Sequence, residues 1–334
     1  MFKVPAWLIF TIIFIGLFIA FFYLLTFFET KKKKEKLDVK KFYDVTFIIP
    51  AYNASTYIEK TINSIMELDY PKKKLKIFVV DDGSQDNTAE KVKKLMKKYT
   101  NIRLFKKRKE GKAAALNFGI GKVKTELIAV LDSDTILQKD ILKKAVALLS
   151  QKKIVAVTSR LVPLNKKGFF ARMQVVEYSL TSFFRKLLSN INALPIAPAF
   201  TVYKTFFFKK YGGFDRDNLT EDFEIALRIH FYGYDILYIL DSYAETIVPS
   251  KFRQLYRQRV RWGYGTLYNI RKYKHMVFSL KYGDLGTFLL PNLVIGIIVI
   301  VLILAIAIYN IIAVSYTHLR AHETRHDLVC RLLL

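Results

Sequence analysis

The chain has 334 residues, enough for one large domain or two modest ones with a sizeable core. Its single cysteine, Cys330, excludes an internal disulfide, and its 52% hydrophobic content would suit an ordinary globular protein only if it were evenly spread. Fifty-four Lys and Arg against 28 Asp and Glu give a net charge of +26, a surface suited to nucleic acid, anionic lipid headgroups or phosphorylated substrates, although much of the Lys surplus also reads as a solvated face.

The apolar residues are concentrated at the two ends. Val4 to Phe28 and Phe288 to Ile312 are almost wholly apolar, contain no Lys, Arg, Asp or Glu, and are each long enough to cross ~30 Å of hydrocarbon as a helix. The first exceeds a signal-peptide h-region of about 7 to 15 residues and has no small-x-small cleavage site before the Lys tract, so both are expected to be retained spans (4–28 and 288–312). Lys31 to Lys34 and Lys36 follow the first; Arg271, Lys272, Lys274 and Lys281 precede the second. By the positive-inside rule the segment between them is cytoplasmic, which predicts a multi-pass protein of the cell membrane in contact with membrane lipids.

After a basic linker (29–43), Val45 to Ile49 reads as a strand closed by Pro50, and Ser55 or Thr56 can cap a helix from about Tyr57 to Leu68. Lys76 to Val80 is a second strand ending in Asp81-Asp82-Gly83-Ser84, and Asn87 or Thr88 opens a Lys-rich amphipathic helix to about Tyr99. Ile102 to Phe105 is a third strand, and Gly111-Lys112 starts another helix. Glu126 to Asp134 (E-L-I-A-V-L-D-S-D) is a short apolar run ending in two carboxylates separated by one Ser, the pattern of a buried strand delivering acids to its carboxyl edge. Strands alternating with helices of about a dozen residues predict an α/β fold with a doubly wound, mostly parallel sheet, with ligands at the strands' carboxyl ends. Three of those ends, Pro50 to Asn53, Asp81 to Ser84 and Asp132 to Asp134, carry polar, acidic or turn-forming residues.

Further along, Phe169 to Leu188 has helical spacing and suits either the sheet or a membrane surface. Ala199 to Tyr203 reads as a strand, Thr220 can cap a helix reaching about Tyr232, Ile236 to Leu240 and Ala244 to Val248 are short strands, and Phe252 to Gly263 is a helix rich in Arg and Gln. Residues 44–250 are thus expected to form the cytosolic domain and 251–287 an amphipathic, interfacial segment. The last stretch, 314–334, lacks Lys and holds His318, His322 and His326. His322 and His326 have i, i+4 metal-pair spacing, but Ser315 to Thr324 resembles a translated adaptor-like tail, and the segment is expected to be non-native and functionless.

Asp81-Asp82-Gly83-Ser84, Asp132-Ser133-Asp134, Thr220-Glu221-Asp222 and Gln258-Arg259-Val260-Arg261-Trp262 occur in the order found in membrane-integrated, inverting family-2 glycosyltransferases. The chain resembles that family, which includes cellulose, chitin, hyaluronan and poly-N-acetylglucosamine synthases and ceramide glucosyltransferases, over about Val45 to Trp262. The resemblance implies a glycosyltransferase-A-like, nucleotide-sugar-binding fold. It also implies that Asp82, with Ala51, Tyr52, Asn53 and Glu59, holds the nucleoside, usually uridine.

The chemistry accounts for the remaining residue types. A leaving diphosphate gains negative charge, so a hard cation, Mg2+ or Mn2+, held by Asp132 and Asp134 would stabilise it, with Asp134 the direct ligand. Lys112 and Arg259 or Arg261 can supply further positive charge to the donor, Arg with a planar fork. Inversion requires one displacement and a base on the acceptor's side, the role expected of Asp222. Glu221, Gln258 and Trp262 are expected to meet the acceptor, a glycan or a lipid such as a polyprenyl phosphate or glycolipid. Outside the motifs, Glu221 and Asp222 also suit any first helical turn, and Trp262 an interfacial anchor. One departure stands out: where many polymer synthases have a small, Gly-containing loop, this chain has Ile196-Ala197-Pro198-Ala199-Phe200, which bears on acceptor handling and processivity. The rival of another class is a membrane-tethered binder of anionic ligands without activity. Nucleic acid is not expected as a partner, because carboxylates at a groove mouth repel phosphates unless a cation is present.

Overall fold

The computed structural model describes residues 6–30 and 41–332; the Lys31 to Lys36 tract lies outside the described residues. Eight strands form one sheet in the order β3-β2-β1-β4-β7-β6-β8-β5, built from β1 (Val45–Ala51), β2 (Leu75–Asp81), β3 (Ile102–Lys106), β4 (Leu127–Leu131), β5 (Ile136–Leu137), β6 (Ile154–Pro163), β7 (Phe200–Lys204) and β8 (Asp235–Thr246). The first four strands pair in parallel, as the alternation of strands and helices predicts. Beyond them the sheet is mixed: β7 runs antiparallel to both β4 and β6, β6 and β8 are parallel, and β5 is antiparallel to β8. The expectation of a mostly parallel sheet is therefore corrected to a mixed one. The reason is the 195–199 loop, which delivers Phe200 opposite Leu131 and reverses the chain at the acid-bearing end of β4.

Side-chain alternation along β1 explains the two helical layers. Phe47 and Ile49 pack with α2 (Ile58–Met66), α3 (Thr88–Lys98) and α5 (Ile141–Leu149), while Ile48 packs with α4 (Lys112–Ile120), α7 (Thr205–Tyr211) and α8 (Glu221–Phe231). All seven β1 residues are buried, the pattern of a central strand covered on both faces. Pro50 does not close β1, which runs on to Ala51 with Pro50 opposite Val80; at the second-last position of the strand the missing N–H interrupts little of the ladder. The two short strands expected between 236 and 248 are one strand, β8, whose register against β6 shifts between Ser159 and Arg160 so that it bends without ending.

A third cluster joins Leu188 of α6 (Phe169–Asn190), Phe223 and Leu227 of α8, and Leu285, Leu289 and Leu290 at the foot of α10 (Leu290–Leu332). Over the first apolar run the chain forms α1 (Ala6–Thr30), whose Phe22 stacks on Phe288 at 3.6 Å and whose Tyr23 meets Phe184 of α6 edge-on at 4.9 Å. Of the two expected spans, Leu285–Tyr316 is, among the described residues, the one helical stretch long and apolar enough to cross a membrane; within α1 the described apolar stretch, Gly16–Thr26, is shorter. The Gln- and Arg-rich helix, α9, extends from Phe252 to Lys272, nine residues past Gly263 where its end was expected.

Candidate active site

The acid turn after β4 is pinned from three sides. The backbone N–H of Asp132 donates to the Ala199 carbonyl at 3.0 Å, that of Thr135 donates to the Asp132 carbonyl at 3.2 Å, and the Thr61 hydroxyl of α2 donates to the Ser133 carbonyl at 3.0 Å. The turn thus has one conformation into which Asp132 and Asp134 are built. Burial and the adjacent Asp132 charge push the Asp134 carboxyl up to about 6.

Lys112 connects the motifs. It opens α4 directly after Gly111, whose φ of +97° lies in the region that favours glycine. Its Nζ is 2.7 Å from Asp132 Oδ1 and 2.9 Å from Glu221 Oε1, joining the end of β4 to the start of α8. Burial opposes charge on the Lys112 ammonium, but the two carboxylates hold it well above its usual range. Burial likewise opposes ionisation of Glu221, and Lys112, with a smaller contribution from Arg261, holds that carboxyl below its usual range. Asp222 lies in the same cluster with the opposite shift: burial first, then the Glu221 charge, pushes it up to about 6. The Phe223 N–H donates to its Oδ1 at 2.9 Å, and its carbonyl accepts the Ala197 N–H at 3.2 Å. The expected hydroxyl cap on α8 is absent; Thr220 sits at the N-cap position but its hydroxyl accepts from Asn269 Nδ2 at 3.0 Å.

The Ile196 to Phe200 loop therefore touches both halves of the cluster, Ala199 at Asp132 and Ala197 at Asp222. Ala199 holds a φ of +37°, a conformation that favours glycine, at the position where the sequence departs from a Gly-containing loop.

At the ends of β1 and β2, Asn53 (φ +49°) donates its N–H to Ser84 Oγ at 3.0 Å and accepts the Gln85 N–H on Oδ1 at 2.9 Å, while Ser84 N–H donates to Asp81 Oδ1 at 2.8 Å. These bonds knit the turns after β1 and β2 into one unit. Ala51 is buried and its carbonyl accepts the Asp82 N–H at 2.8 Å, whereas Tyr52 is exposed with Lys109 Nζ 3.9 Å from its ring centre. Asp82 is buried, and its carboxylate accepts from Lys107 Nζ at 2.8 Å, Glu110 N–H at 3.0 Å and Gly111 N–H at 2.7 Å. In this structure Asp82 thereby fixes the loop that delivers Lys112. Glu59 faces Lys91 at 3.3 Å, so its charge is met by α3.

The Q-x-x-R-W residues lie on α9. The Arg259 fork is engaged by Glu177 of α6, with Nη1 and Nη2 each 2.6 Å from a carboxylate oxygen, while Arg261 contributes positive charge at Glu221. Arg259 Cζ also lies 4.6 Å from the Trp262 ring centre. Gln258, on the same helical face as Trp262, has a buried amide oxygen with no hydrogen-bond donor. Glu177, Lys107 and Asn269 escaped the sequence reading, since each belongs to no motif and meets its partner only through the fold.

The pattern of the family described as glycosyl transferase family 2 matches residues 46–212. The chain is 32% identical over 236 residues to the poly-beta-1,6-N-acetyl-D-glucosamine synthase of Staphylococcus aureus (strain COL), covering 70% of this chain and 57% of that protein. It is 31% identical over 224 residues to the synthase of the same name from Staphylococcus epidermidis, covering 66% and 54%. The chain thus spans little more than half the length of these relatives. Among solved structures it resembles the mannosyltransferase PcManGT from Pyrobaculum calidifontis in complex with GDP-Man and Mn2+ (TM-score 0.66, 25% identity, 77% of this chain and 71% of that one). It shares its fold with S. aureus TarS 1–349, solved in complex with UDP-GlcNAc (TM-score 0.50, 23% identity, 62% and 59%). With the family pattern running from β1 through α7 and the acids of β4 and α8 joined at Lys112, the chain belongs to glycosyltransferase family 2, of the cellulose and poly-N-acetylglucosamine synthase type.

Proposed function

We infer that this protein is an inverting, metal-dependent glycosyltransferase that moves a sugar from a UDP-sugar, N-acetylglucosamine by the names of its relatives, to a sugar hydroxyl and builds a β-linked polysaccharide. The observation that carries the reading is the Lys112 bridge, whose one ammonium joins Asp132 of the proposed donor-side acids to Glu221 of the proposed acceptor-side acids.

Asp132 and Asp134 fit Mg2+ or Mn2+. They are two carboxylates on a pinned turn, Asp134 is held up at about 6 by burial and its neighbour's charge, and no third acidic, His or Cys ligand joins them among the described residues. A hard cation completed by substrate phosphates needs only one or two carboxylates. When bound, it would offset the charge that grows on the leaving diphosphate. Lys112 and Arg261 add fixed positive charge on the same side. Asp222 accepts the proton of the acceptor hydroxyl as that oxygen attacks the anomeric carbon from the face opposite the diphosphate, giving inversion in one displacement. A carboxyl near 6 is a stronger base than an ordinary Asp and is still ionised at neutral pH. Gln258 and Trp262 receive the acceptor, the orphaned Gln258 oxygen taking a hydroxyl donor and the ring stacking on a sugar face.

The proposed setting is the cytoplasmic face of the cell membrane. Phe169, Met173, Val176 and Leu180 on α6, and Phe252, Tyr256, Val260 and Tyr264 on α9, are exposed at spacings of three or four residues, a pair of apolar stripes that suits a lipid surface.

The test is sugar transfer from UDP-N-acetylglucosamine, with product sizing, by the whole chain in membranes. Asp222→Asn is expected to lower transfer by at least about 1000-fold while UDP binding stays near normal, and Asp134→Ala to abolish the metal dependence of UDP binding. Near-normal turnover in Asp222→Asn removes it as the base, and a single added sugar in place of a ladder replaces polymer synthesis with single transfer.

A further inference from the structure

Glu177 lies outside every motif and outside the acid cluster, yet it makes the closest two-pronged ion pair described in the chain, both its oxygens 2.6 Å from the Arg259 fork. Arg259 has two partners at once. Its guanidinium is held edge-on by Glu177 and faces the Trp262 ring, three residues along α9, at 4.6 Å. A guanidinium so clamped cannot rotate away from the ring it covers, because its planar fork matches the carboxylate in one orientation only. The next residue of α6, Tyr178, packs against the core cluster that holds Leu131 at the end of β4 and Phe200 at the start of β7, so this part of α6 lies between that core and the Glu177–Arg259 pair.

We propose that Glu177 is a positioning residue for the acceptor: by clamping Arg259 against Trp262 it fixes the plane of the ring on which the acceptor sugar rests. This rests on Trp262 as the acceptor platform in the function proposed above. It also gives Arg259 a role separate from the donor diphosphate. The expected signature is a change in acceptor handling with donor handling preserved.

The experiment uses the whole chain in membranes or nanodiscs, with UDP-N-acetylglucosamine as donor and a short β-linked N-acetylglucosamine oligosaccharide as acceptor. In a Trp7→Phe background Trp262 is the remaining tryptophan, and its quenching by acrylamide reports how firmly the ring is held. Glu177→Gln is expected to raise that quenching and to raise the acceptor KM about fivefold, the effect of losing one partly exposed ion pair, with donor KM and UDP affinity within about twofold of the parent. Glu177→Asp, which keeps the charge on a shorter arm, restores part of both; Arg259→Lys, which keeps the charge without the fork, behaves like Glu177→Gln. Unchanged quenching in Glu177→Gln overturns the clamp. If Trp262→Ala raises the acceptor KM and Glu177→Gln does not, the positioning role falls while the acceptor platform stands; if neither does, both fall. Loss of UDP binding in both Glu177→Gln and Arg259→Lys also overturns the proposal, by making the pair a general scaffold contact.

Discussion

Asp222 and Asp134 have the same shift for the same reasons, each a half-buried carboxyl beside another carboxylate, and each held at about 6. Both must be ionised to do the work proposed for them, one to take a proton and one to hold a cation. A bound cation would itself keep Asp134 ionised, so the pH dependence falls on Asp222: transfer is expected to be level above about pH 7 and to fall below pH 6, with a slope of log(kcat/KM) against pH of about one. A rate profile that stays flat down to pH 4.5 would remove Asp222 as the base. The effect on stability runs the other way. A carboxyl raised above its unfolded value of about 4 favours the folded state most when protonated, so the contribution of this pair grows as pH falls from 6 toward 4 and is lost as pH rises through 6. At neutral pH the site holds two charges that its surroundings disfavour. The types of these residues were legible in the sequence, because the chemistry of a leaving diphosphate calls for acids in pairs. Their shifts were not: a carboxylate in the first turn of a helix reads as stabilised, and only packing reveals that Asp222 is desolvated beside the Glu221 charge.

At the scale of elements, α9 and α8 are fastened to each other by polar groups with little solvent access. Asn218 and Asn269 exchange amide bonds at 2.7 and 3.3 Å, Asn218 Oδ1 accepts the Thr220 N–H at 3.0 Å, and Glu224, 1% exposed, accepts from Arg228 at 2.9 Å, Tyr273 at 2.7 Å and Lys272 at 3.3 Å. Such satisfied networks fix one register between two helices. Gly265 lets the backbones come that close, since a Cβ there would lie 2.2 Å from Thr220 Oγ1 and 2.4 Å from its Cγ2. Gly265→Ala is expected to cost about 1–3 kcal/mol, lowering Tm by about 2–4 °C per kcal/mol, and to reduce transfer because Thr220 precedes Glu221 and Asp222. Gly263→Ala is the control: its Cβ meets nothing within 4 Å, so melting in detergent should leave it near the parent. Periodicity located α9 but placed its end at Gly263, because a glycine in an exposed turn reads as a stop. The helix runs on because Asn269 and Tyr273 have buried partners at the N-cap of α8, Thr220, and within it, Glu224.

At the scale of the whole molecule, a basic domain, an apolar helix pair touching at Phe22 and Phe288, and two exposed apolar stripes fit a protein seated on a bilayer. The chain is expected to stay with the membrane pellet after an alkaline carbonate wash; release into the supernatant would reduce the association to surface charge. The parallel half of the sheet was legible because buried strands of Val, Ile and Phe alternate with amphipathic helices. The antiparallel half was not, since β6 has no distinctive boundary signal and the direction of β7 depends on where the loop before it lands.

The order of residues alone told which strand ends carry acids, which helix carries the Q-x-x-R-W residues, and that a basic segment lies between two apolar runs. Residue types and the periods of 2 and 3.6 are local properties, written directly in the order of side chains. Which side chains meet is a property of the folded chain. Lys112 joins acids 89 residues apart, Glu177 pairs with Arg259 across two helices, and Asp82 accepts from the loop that holds Lys112 in place. Those pairings depend on the close-packed geometry of distant segments, which no local pattern records.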